Sequence, residues 1–290
     1  MTTLRVLVFN LYFYTFTLVV ALLLYLLAKL STRAAMHRVL RAWGQGVLGG
    51  LRRILGSRIE IRGLERLPPE GPRLVVSKHQ SELDIIVIAA LFPQASAVAM
   101  AELRRYPFFG PILEKLGVVL VAVEAGPQGR TQQVIDGARR VVAEGRPMYI
   151  FPEGELMALG ARERYRKGAA HIYTALDVAA FPVAASLGAV WPQRRWRKRV
   201  GRTGAIEFLE PIAPGLPFDA FLAEVESRIE TQTMALIREH AVGADLSAAE
   251  DRFARGVNNH GDRVPTARPS TDAAPDNGLL RDDPATSSGS

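Results

Sequence analysis

The spacing of apolar and polar residues divides the chain into three regions. Residues 6–28 carry no charged side chain, and 23 such residues are enough for a helix to cross a bilayer core of about 30 Å. Residues 35–55 repeat apolar side chains at helical spacing among arginines, which predicts either an amphipathic helix at a membrane interface or an ordinary packing helix. Together they predict membrane-anchoring helices over 1–55. Large apolar side chains become scarce near the carboxyl terminus, which predicts a disordered polar tail over 243–290.

The region 56–242 alternates short apolar runs with helical patterns. Strand-like runs are "RIEIRG", "RLVVS", "SAVAMA", "GVVLVAV", "PMYIF", "AFPVAAS" and "AIEFLEP". Helical patterns fill "LDIIVIAALF" and, by number, about 108–116, 129–143, 168–178 and 217–239. Strands that alternate with helices of this length predict an α/β domain with a mixed, largely parallel sheet flanked by helices.

The N-terminal apolar segment has two interpretations. A cleaved signal peptide would have an apolar region of roughly 7–15 residues and a small-residue cleavage site, and the sequence after residue 28 offers a poor one. An uncleaved membrane helix is therefore favoured. Lys29, Arg33, Arg38 and Arg41 lie after the segment, whereas Arg5 alone precedes it, so the chain beyond this helix is predicted to be cytoplasmic.

Composition narrows the possible chemistry. The chain has no Cys, which excludes disulfides, thiolate nucleophiles and Cys-ligated zinc. No pattern of His and carboxylate residues suggests a metal site, so none is predicted. The formal net charge is +7, and residues 1–240 carry 31 basic against 21 acidic side chains. Such a body favours anionic partners such as a membrane surface or phosphorylated molecules.

A polar stretch, "SKHQSELD", interrupts the apolar run of residues 74–91. His79 and Asp84 would not face each other on a helix or on a strand, because five residues place them 140° apart or on opposite faces. They meet only if the chain turns between them, and the sequence predicts a strand that ends near Ser77 and a helix that begins near Ser81. His79 then lies at the carboxyl edge of a sheet, where α/β proteins usually have their sites.

Asp84 has a structural and a functional interpretation. Ser81-x-x-Asp84 matches a capping box, which needs nothing beyond helix initiation. Alternatively, the positive helix start favours a neutral imidazole at His79, and the Asp84 carboxylate fixes its tautomer. His79 would then act as a general base on a substrate hydroxyl, since neither Cys nor a G-x-S-x-G element is present.

A second element lies at residues 148–155, where "MYIFPEGE" leads a strand directly into Pro-Glu-Gly. Gly154 allows a ligand to approach the backbone closely. The "RERYRKG" segment just beyond it offers phosphate contacts from Arg164, Arg166 and Lys167.

With these motifs, residues 60–240 resemble the 1-acylglycerol-3-phosphate acyltransferases of the glycerolipid acyltransferase superfamily. "SKHQSELD", "LRRYPFFGPILEKLGVV", "IFPEGE", "YRKGAAHI" and "AFPVA" carry the resemblance. It implies an acyltransferase-type fold in a bacterial inner-membrane enzyme of phospholipid biosynthesis. It also implies His79 as general base, Asp84 as its orienting partner, and Glu153 and Gly154 at the acceptor site. The co-substrate would be a thioester of coenzyme A or acyl carrier protein, with no further cofactor.

Two departures from the family pattern concern the acceptor. Val123 stands where the second motif normally has an arginine, and Glu155 and Leu156 replace the Thr-Arg that normally ends the third. The family is thought to use both arginines on the acceptor's phosphate. The acceptor is therefore expected to be lysophosphatidic acid bound by other cations, or a lysolipid such as lyso-ornithine lipid. A non-catalytic lipid-binding homologue is the remaining alternative.

The most basic run is "WPQRRWRKRVGR" at residues 191–202. Nucleic-acid binding is conceivable for such a run, but the predicted membrane segment argues against it. A membrane-surface patch or a docking site for coenzyme A phosphates or an acidic carrier protein fits better. The sequence does not indicate an oligomeric state.

Overall fold

The computed structural model of the chain describes residues 2–68 and 71–258. The helices are α1 Thr2–Leu30, α2 Arg33–Gly50, α3 Leu83–Leu91, α4 Phe109–Leu116, α5 Gly126–Ala143, α6 Gly168–Leu176, α7 Phe218–His240 and α8 Ala244–Ala254. The strands are β1 Arg58–Arg62, β2 Arg73–Ser77, β3 Ser96–Met100, β4 Val119–Val121, β5 Pro147–Ile150, β6 Arg162–Glu163, β7 Ala180–Ala185, β8 Thr203–Phe208 and β9 Val257–Asn258. A single π-helical turn, Leu51–Leu55, comes after α2.

Seven strands form the main sheet in the order β1-β8-β7-β2-β5-β3-β4. Neighbours are parallel except β7 and β8, which run antiparallel. The predicted mixed, largely parallel sheet is therefore confirmed. Because β2, β5 and β7 are parallel neighbours, their carboxyl ends meet at one edge, and antiparallel β8 begins at the same edge. We call it the carboxyl edge.

Side chains along the buried central strands point alternately to the two faces of the sheet, and they form two apolar layers. Val75 pairs in register with Tyr149 and Phe181, and all three face a core covered by α1, α2 and α3. Leu74 and Val76 face the opposite core, under α5, α6 and α7. Both faces are buried, which explains why these strands read as continuous apolar runs.

The two N-terminal helices pack on the domain rather than standing apart from it. Among the described residues, α1 is the one helix long and apolar enough to cross a membrane. Phe9 and Phe13 nevertheless meet the ring of Trp191 edge-on, with centroids 5.8 and 5.0 Å away. On α2, a Cβ at Gly44 would lie 2.6 Å from the Ala90 nitrogen of α3. The packing-helix interpretation of α2 therefore holds, since only Gly permits so close an approach.

The predicted disordered tail begins with a helix instead. In α8, Leu246, Ala249 and Phe253 recur at helical spacing and pack against Met234 and Ile237 of α7. The prediction was wrong over these residues because two large apolar side chains at the right spacing are enough when a partner helix is available. Residues 259–290 of that prediction lie outside the described residues.

Candidate active site

His79 lies in the turn between β2 and α3, at the carboxyl edge, as the sequence predicts. Asp84 is in the first turn of α3, and its Oδ2 is 2.8 Å from His79 Nδ1. The chain reverses direction between the two residues, so a separation of five positions brings them into contact.

The Asp84 carboxylate also organises the backbone of the turn. Its Oδ2 accepts hydrogen bonds from the Gln80 nitrogen at 2.8 Å and the Ser81 nitrogen at 3.0 Å, while Ser81 Oγ accepts from the Leu83 nitrogen at 3.1 Å. The Asp84 half of a capping box is therefore present, whereas Ser81 Oγ bonds the Leu83 nitrogen and not the Asp84 nitrogen. The structural and functional interpretations are therefore both satisfied, because one carboxylate starts the helix and holds the imidazole.

The His79 ring is held on its face as well as at its edge. It stacks on Phe151, with ring centroids 4.0 Å apart, and its backbone oxygen accepts from the Met157 nitrogen at 2.6 Å. Its side chain is 18% exposed. With Nδ1 engaged by Asp84, Nε2 is the ring nitrogen left for a substrate. A fixed imidazole with one free nitrogen is suited to general base catalysis.

A buried ion cluster lies directly behind His79. Lys78 Nζ is 3.0 Å from Glu153 Oε1 and 2.7 Å from Glu230 Oε1, and the Tyr165 hydroxyl donates to the same Glu230 oxygen at 2.9 Å. Lys78 and Glu153 are wholly buried. The cluster joins the end of β2, the Pro-Glu-Gly loop after β5, the segment before α6 and helix α7, so it fixes the loops that carry the site.

The cluster holds two carboxylates for one ammonium, which shifts the protonation equilibria. Burial raises the pKa of Glu153 to about 7, although Lys78 opposes the shift. Burial alone would lower the pKa of Lys78, but the two carboxylates outweigh it and raise that pKa. Near neutral pH, Glu153 therefore binds a proton readily, and Lys78 stays charged.

The chain is similar to known acyltransferases. Residues 58–186 match the Acyltransferase family. A 1-acyl-sn-glycerol-3-phosphate acyltransferase of Pseudomonas aeruginosa is 28% identical over 215 residues, 72% of this chain and 81% of that protein. The human alpha form is 28% identical over 138 residues, 46% of this chain and 47% of that protein. The chain thus spans about half of the human relative.

A solved structure has the same fold. The crystal structure of the 1-acyl-sn-glycerophosphate acyltransferase from Thermotoga maritima superposes with a TM-score of 0.67, covering 81% of this chain and 98% of that one, at 21% identity. The acyltransferase-type architecture expected from the resemblance is therefore confirmed.

The Pro-Glu-Gly loop lies beside His79. Gly154 is exposed at φ +72°, where an added Cβ would lie 2.5 Å from Arg166 Nε. Arg166 Nε in turn donates to the Glu153 backbone oxygen at 3.1 Å. Arg164, Arg166 and Lys167 are exposed, and buried Tyr165 alternates with the two arginines, which puts Arg164 and Arg166 on one side of the segment.

Glu153 differs from its predicted substrate-binding role. Its carboxylate is wholly buried and paired with Lys78, so it does not lie on the surface of the cleft. The buried position is stable because Lys78 supplies the opposite charge that a buried carboxylate requires. In this domain, Glu153 supports the loop from behind.

The sequence analysis missed Lys78, Tyr165 and Glu230 as parts of the site. Lys78 comes directly after the apolar strand, at a position that reads as the start of a solvated loop. The sequence did contain a signal of the buried position of Glu230, because this residue shares an apolar face of α7 with Met234 and Ile237. A carboxylate on such a face indicates a buried cationic partner.

Away from the carboxyl edge, Glu60, Glu239 and His240 bring possible metal ligands within 4.8 Å of one another. Arg62 already bonds both carboxylates there, at 2.6 Å to Glu239 and in a close contact with Glu60. The group is therefore an ion-pair network on the surface.

Proposed function

We propose that the protein transfers a fatty acyl group from an acyl thioester to the free hydroxyl of a lysophospholipid, 1-acyl-sn-glycerol-3-phosphate, in phospholipid biosynthesis. The observation that carries the proposal is the 2.8 Å contact between His79 and Asp84 beside the Pro-Glu-Gly loop. The acyltransferase family match and the activity for which the Pseudomonas aeruginosa relative is named support it.

The mechanism relies on the free nitrogen of His79. Nε2 accepts the proton of the acceptor hydroxyl as its oxygen attacks the thioester carbonyl, and Asp84 stabilises the imidazolium through Nδ1–H. The tetrahedral intermediate collapses with cleavage of the C–S bond. The proton on Nε2 passes to the departing sulfur, so the products are an ester and a thiol, and the imidazole returns to its neutral form.

The acceptor's phosphate requires cations at the mouth of the site. Arg166 lies against Gly154, and its exposed chain neighbours Arg164 and Lys167 supply further cations in this proposal. Val123 and Leu156 occupy the two positions where the resemblance would place arginines. This supports the alternative of an acceptor with another headgroup, such as lyso-ornithine lipid.

Membrane association is part of the proposal. The face of α1 turned away from the domain exposes apolar side chains in a continuous stripe that includes Leu4, Leu7, Leu11, Tyr14, Leu18, Leu22 and Leu26. Such a stripe is suited to the hydrocarbon of a bilayer. We place the catalytic domain on the cytoplasmic side of a bacterial inner membrane.

The test is an acyl-transfer assay on membranes that contain the protein. Labelled acyl-coenzyme A or acyl carrier protein is offered with lysophosphatidic acid or lyso-ornithine lipid. We expect turnover with lysophosphatidic acid, and a loss of about 10²–10⁴-fold in His79→Ala. Equal turnover by His79→Ala would reject the mechanism. Turnover with lyso-ornithine lipid alone would change the acceptor, and lipid association without turnover would support the non-catalytic alternative.

A further inference from the structure

A second cationic site lies on the carboxyl edge, on the β7–β8 side of His79. It is a cavity of about 590 Å³, enclosed by the start of α1, the 188–202 connection and helix α8. A volume in this range is typical of small-molecule sites. The cavity is separate from the exposed cations beyond the Pro-Glu-Gly loop on the β5 side.

The lining of this cavity is strongly basic. Among the described residues of its wall, Asp245 is the one acidic side chain, and it pairs with Arg199. The cationic lining residues are Arg195, Arg197, Lys198, Arg199, Arg202 and Arg252. Across the described chain, the guanidinium groups of Arg195 and Arg202 donate to no carboxylate or carbonyl oxygen. Arg252 uses one nitrogen on the Leu159 oxygen, at 3.0 Å. The wall therefore has cationic donors available for an anion.

Gln80 gives an independent sign of a ligand. It lines the cavity, its side chain is wholly buried, and within the described residues neither its amide oxygen nor its amide nitrogen has a hydrogen-bond partner. Buried amides are nearly always hydrogen-bonded, so an unpaired one indicates a missing partner. An amide offers both a donor and an acceptor, which complements a ligand that itself contains amide groups.

The position of the cavity relates it to the reaction. Gln80 is the residue after His79, and Leu159, which also lines the cavity, is two residues beyond Met157, whose nitrogen donates to the His79 oxygen. Acyl transfer brings two substrates to one imidazole. Cations on both sides of His79 suit a reaction in which donor and acceptor each carry phosphate.

We infer that this basic cavity binds the phosphate-bearing part of the acyl donor, a coenzyme A thioester. The inference rests on the proposed acyl transfer and assigns the donor to a site. The phosphates contact Arg195 and Arg202, and the pantetheine arm, with its two amides, passes Gln80 towards His79. The enclosed volume favours a nucleotide-sized donor over the surface of a carrier protein.

The test measures binding and turnover separately. Coenzyme A and phosphate-free pantetheine are titrated calorimetrically into the detergent-solubilised full chain, for wild type and for Arg195→Ala/Arg202→Ala. The charge-matched control is Arg139→Ala/Arg140→Ala, on the exposed face of α5. We expect coenzyme A to bind at least tenfold more tightly than pantetheine. The cavity variant should bind coenzyme A at least tenfold more weakly for each arginine removed, and its affinity for pantetheine should be unchanged. Arg195→Lys/Arg202→Lys should recover part of the affinity.

In the transfer assay, the cavity variant should raise KM for acyl-coenzyme A at least tenfold, with KM for the acceptor unchanged. Equal coenzyme A affinity in wild type and the cavity variant would overturn the inference, and His79-dependent turnover in both would leave the proposed function standing. The inference would also be overturned if the cavity variant lost binding to vesicles of phosphatidylglycerol and phosphatidylcholine but still bound coenzyme A. The arginines would then be assigned to a lipid headgroup.

Discussion

Removal of the Lys78 ammonium is the sharpest test of the ion cluster behind His79. Lys78→Met keeps a similar length and shape but leaves Glu153 and Glu230 buried without their cation. At an effective dielectric of about 20, contacts of 3.0 and 2.7 Å each correspond to roughly 5–6 kcal/mol of Coulomb attraction. Desolvation of three charges offsets much of this. We therefore expect a net loss of about 3–5 kcal/mol, as for other buried pairs that lose one partner.

The assay is thermal unfolding of the full chain in detergent at pH 8. A loss of that size lowers Tm by roughly 6–20 °C in a protein of about this length. The loss should be smaller at pH 5, which is below the raised pKa of Glu153, because that carboxylate then binds a proton. Acyl transfer should fall as well, because Glu153 holds the loop beside His79.

The control variants decide whether the missing charge is the cause. Lys78→Met/Glu153→Gln/Glu230→Gln removes all three charges and should recover most of the lost stability, since a neutral replacement of the whole group leaves no unpaired ion. Arg139→Met, on the exposed face of α5, should change stability by less than about 0.5 kcal/mol. A loss below about 1 kcal/mol in Lys78→Met, or a triple variant no more stable than the single one, would refute the reasoning.

Two further variants address Asp84 and Glu153. Asp84→Asn keeps an oxygen for the Gln80 and Ser81 nitrogens but removes the charge that stabilises an imidazolium. Activity should therefore fall by at least about 10²-fold, while the stability loss stays near 1 kcal/mol. Parallel assays of turnover and Tm check this, and a large loss of both activity and stability would contradict it. Glu153→Gln tests the raised pKa of Glu153, which is about 7. Because this pKa is raised in the folded state, the Glu153 carboxyl contributes most stability below its ordinary pKa, and that contribution is lost as the pH rises to about 7. Wild type should therefore lose stability relative to Glu153→Gln, by at most about 3 kcal/mol, as the pH rises from about 4.5 to 7. A constant difference in Tm across that range would argue against the shift.

The strand and helix order of the central domain was predictable because both faces of the sheet are covered. Apolar runs such as 74–76 and 148–150 have no polar alternation to obscure them, and glycines and prolines mark their ends. The contact of His79 with Asp84 was likewise predictable, since the pair needs only a turn between a strand and a helix.

The ion cluster and the basic cavity depend on long-range contacts that local sequence does not encode. Glu230 is 152 residues from Lys78, and nothing near either residue specifies the other. The helix α8 was missed because its apolar positions are few and become a core only against α7. Position along the chain indicates where charge lies, but the fold decides which charges meet.

The double use of Asp84 constrains how this family of chains can diverge. A relative that abandons acyl transfer is free to replace the histidine, yet it must keep an oxygen acceptor five residues later or lose the entry into its third helix. Asn meets that requirement with the least change. A His-less chain that retains Asp or Asn at this place would therefore be an inactive descendant with its turn preserved, whereas a substitution there by an apolar residue would signal that the whole segment has been rebuilt.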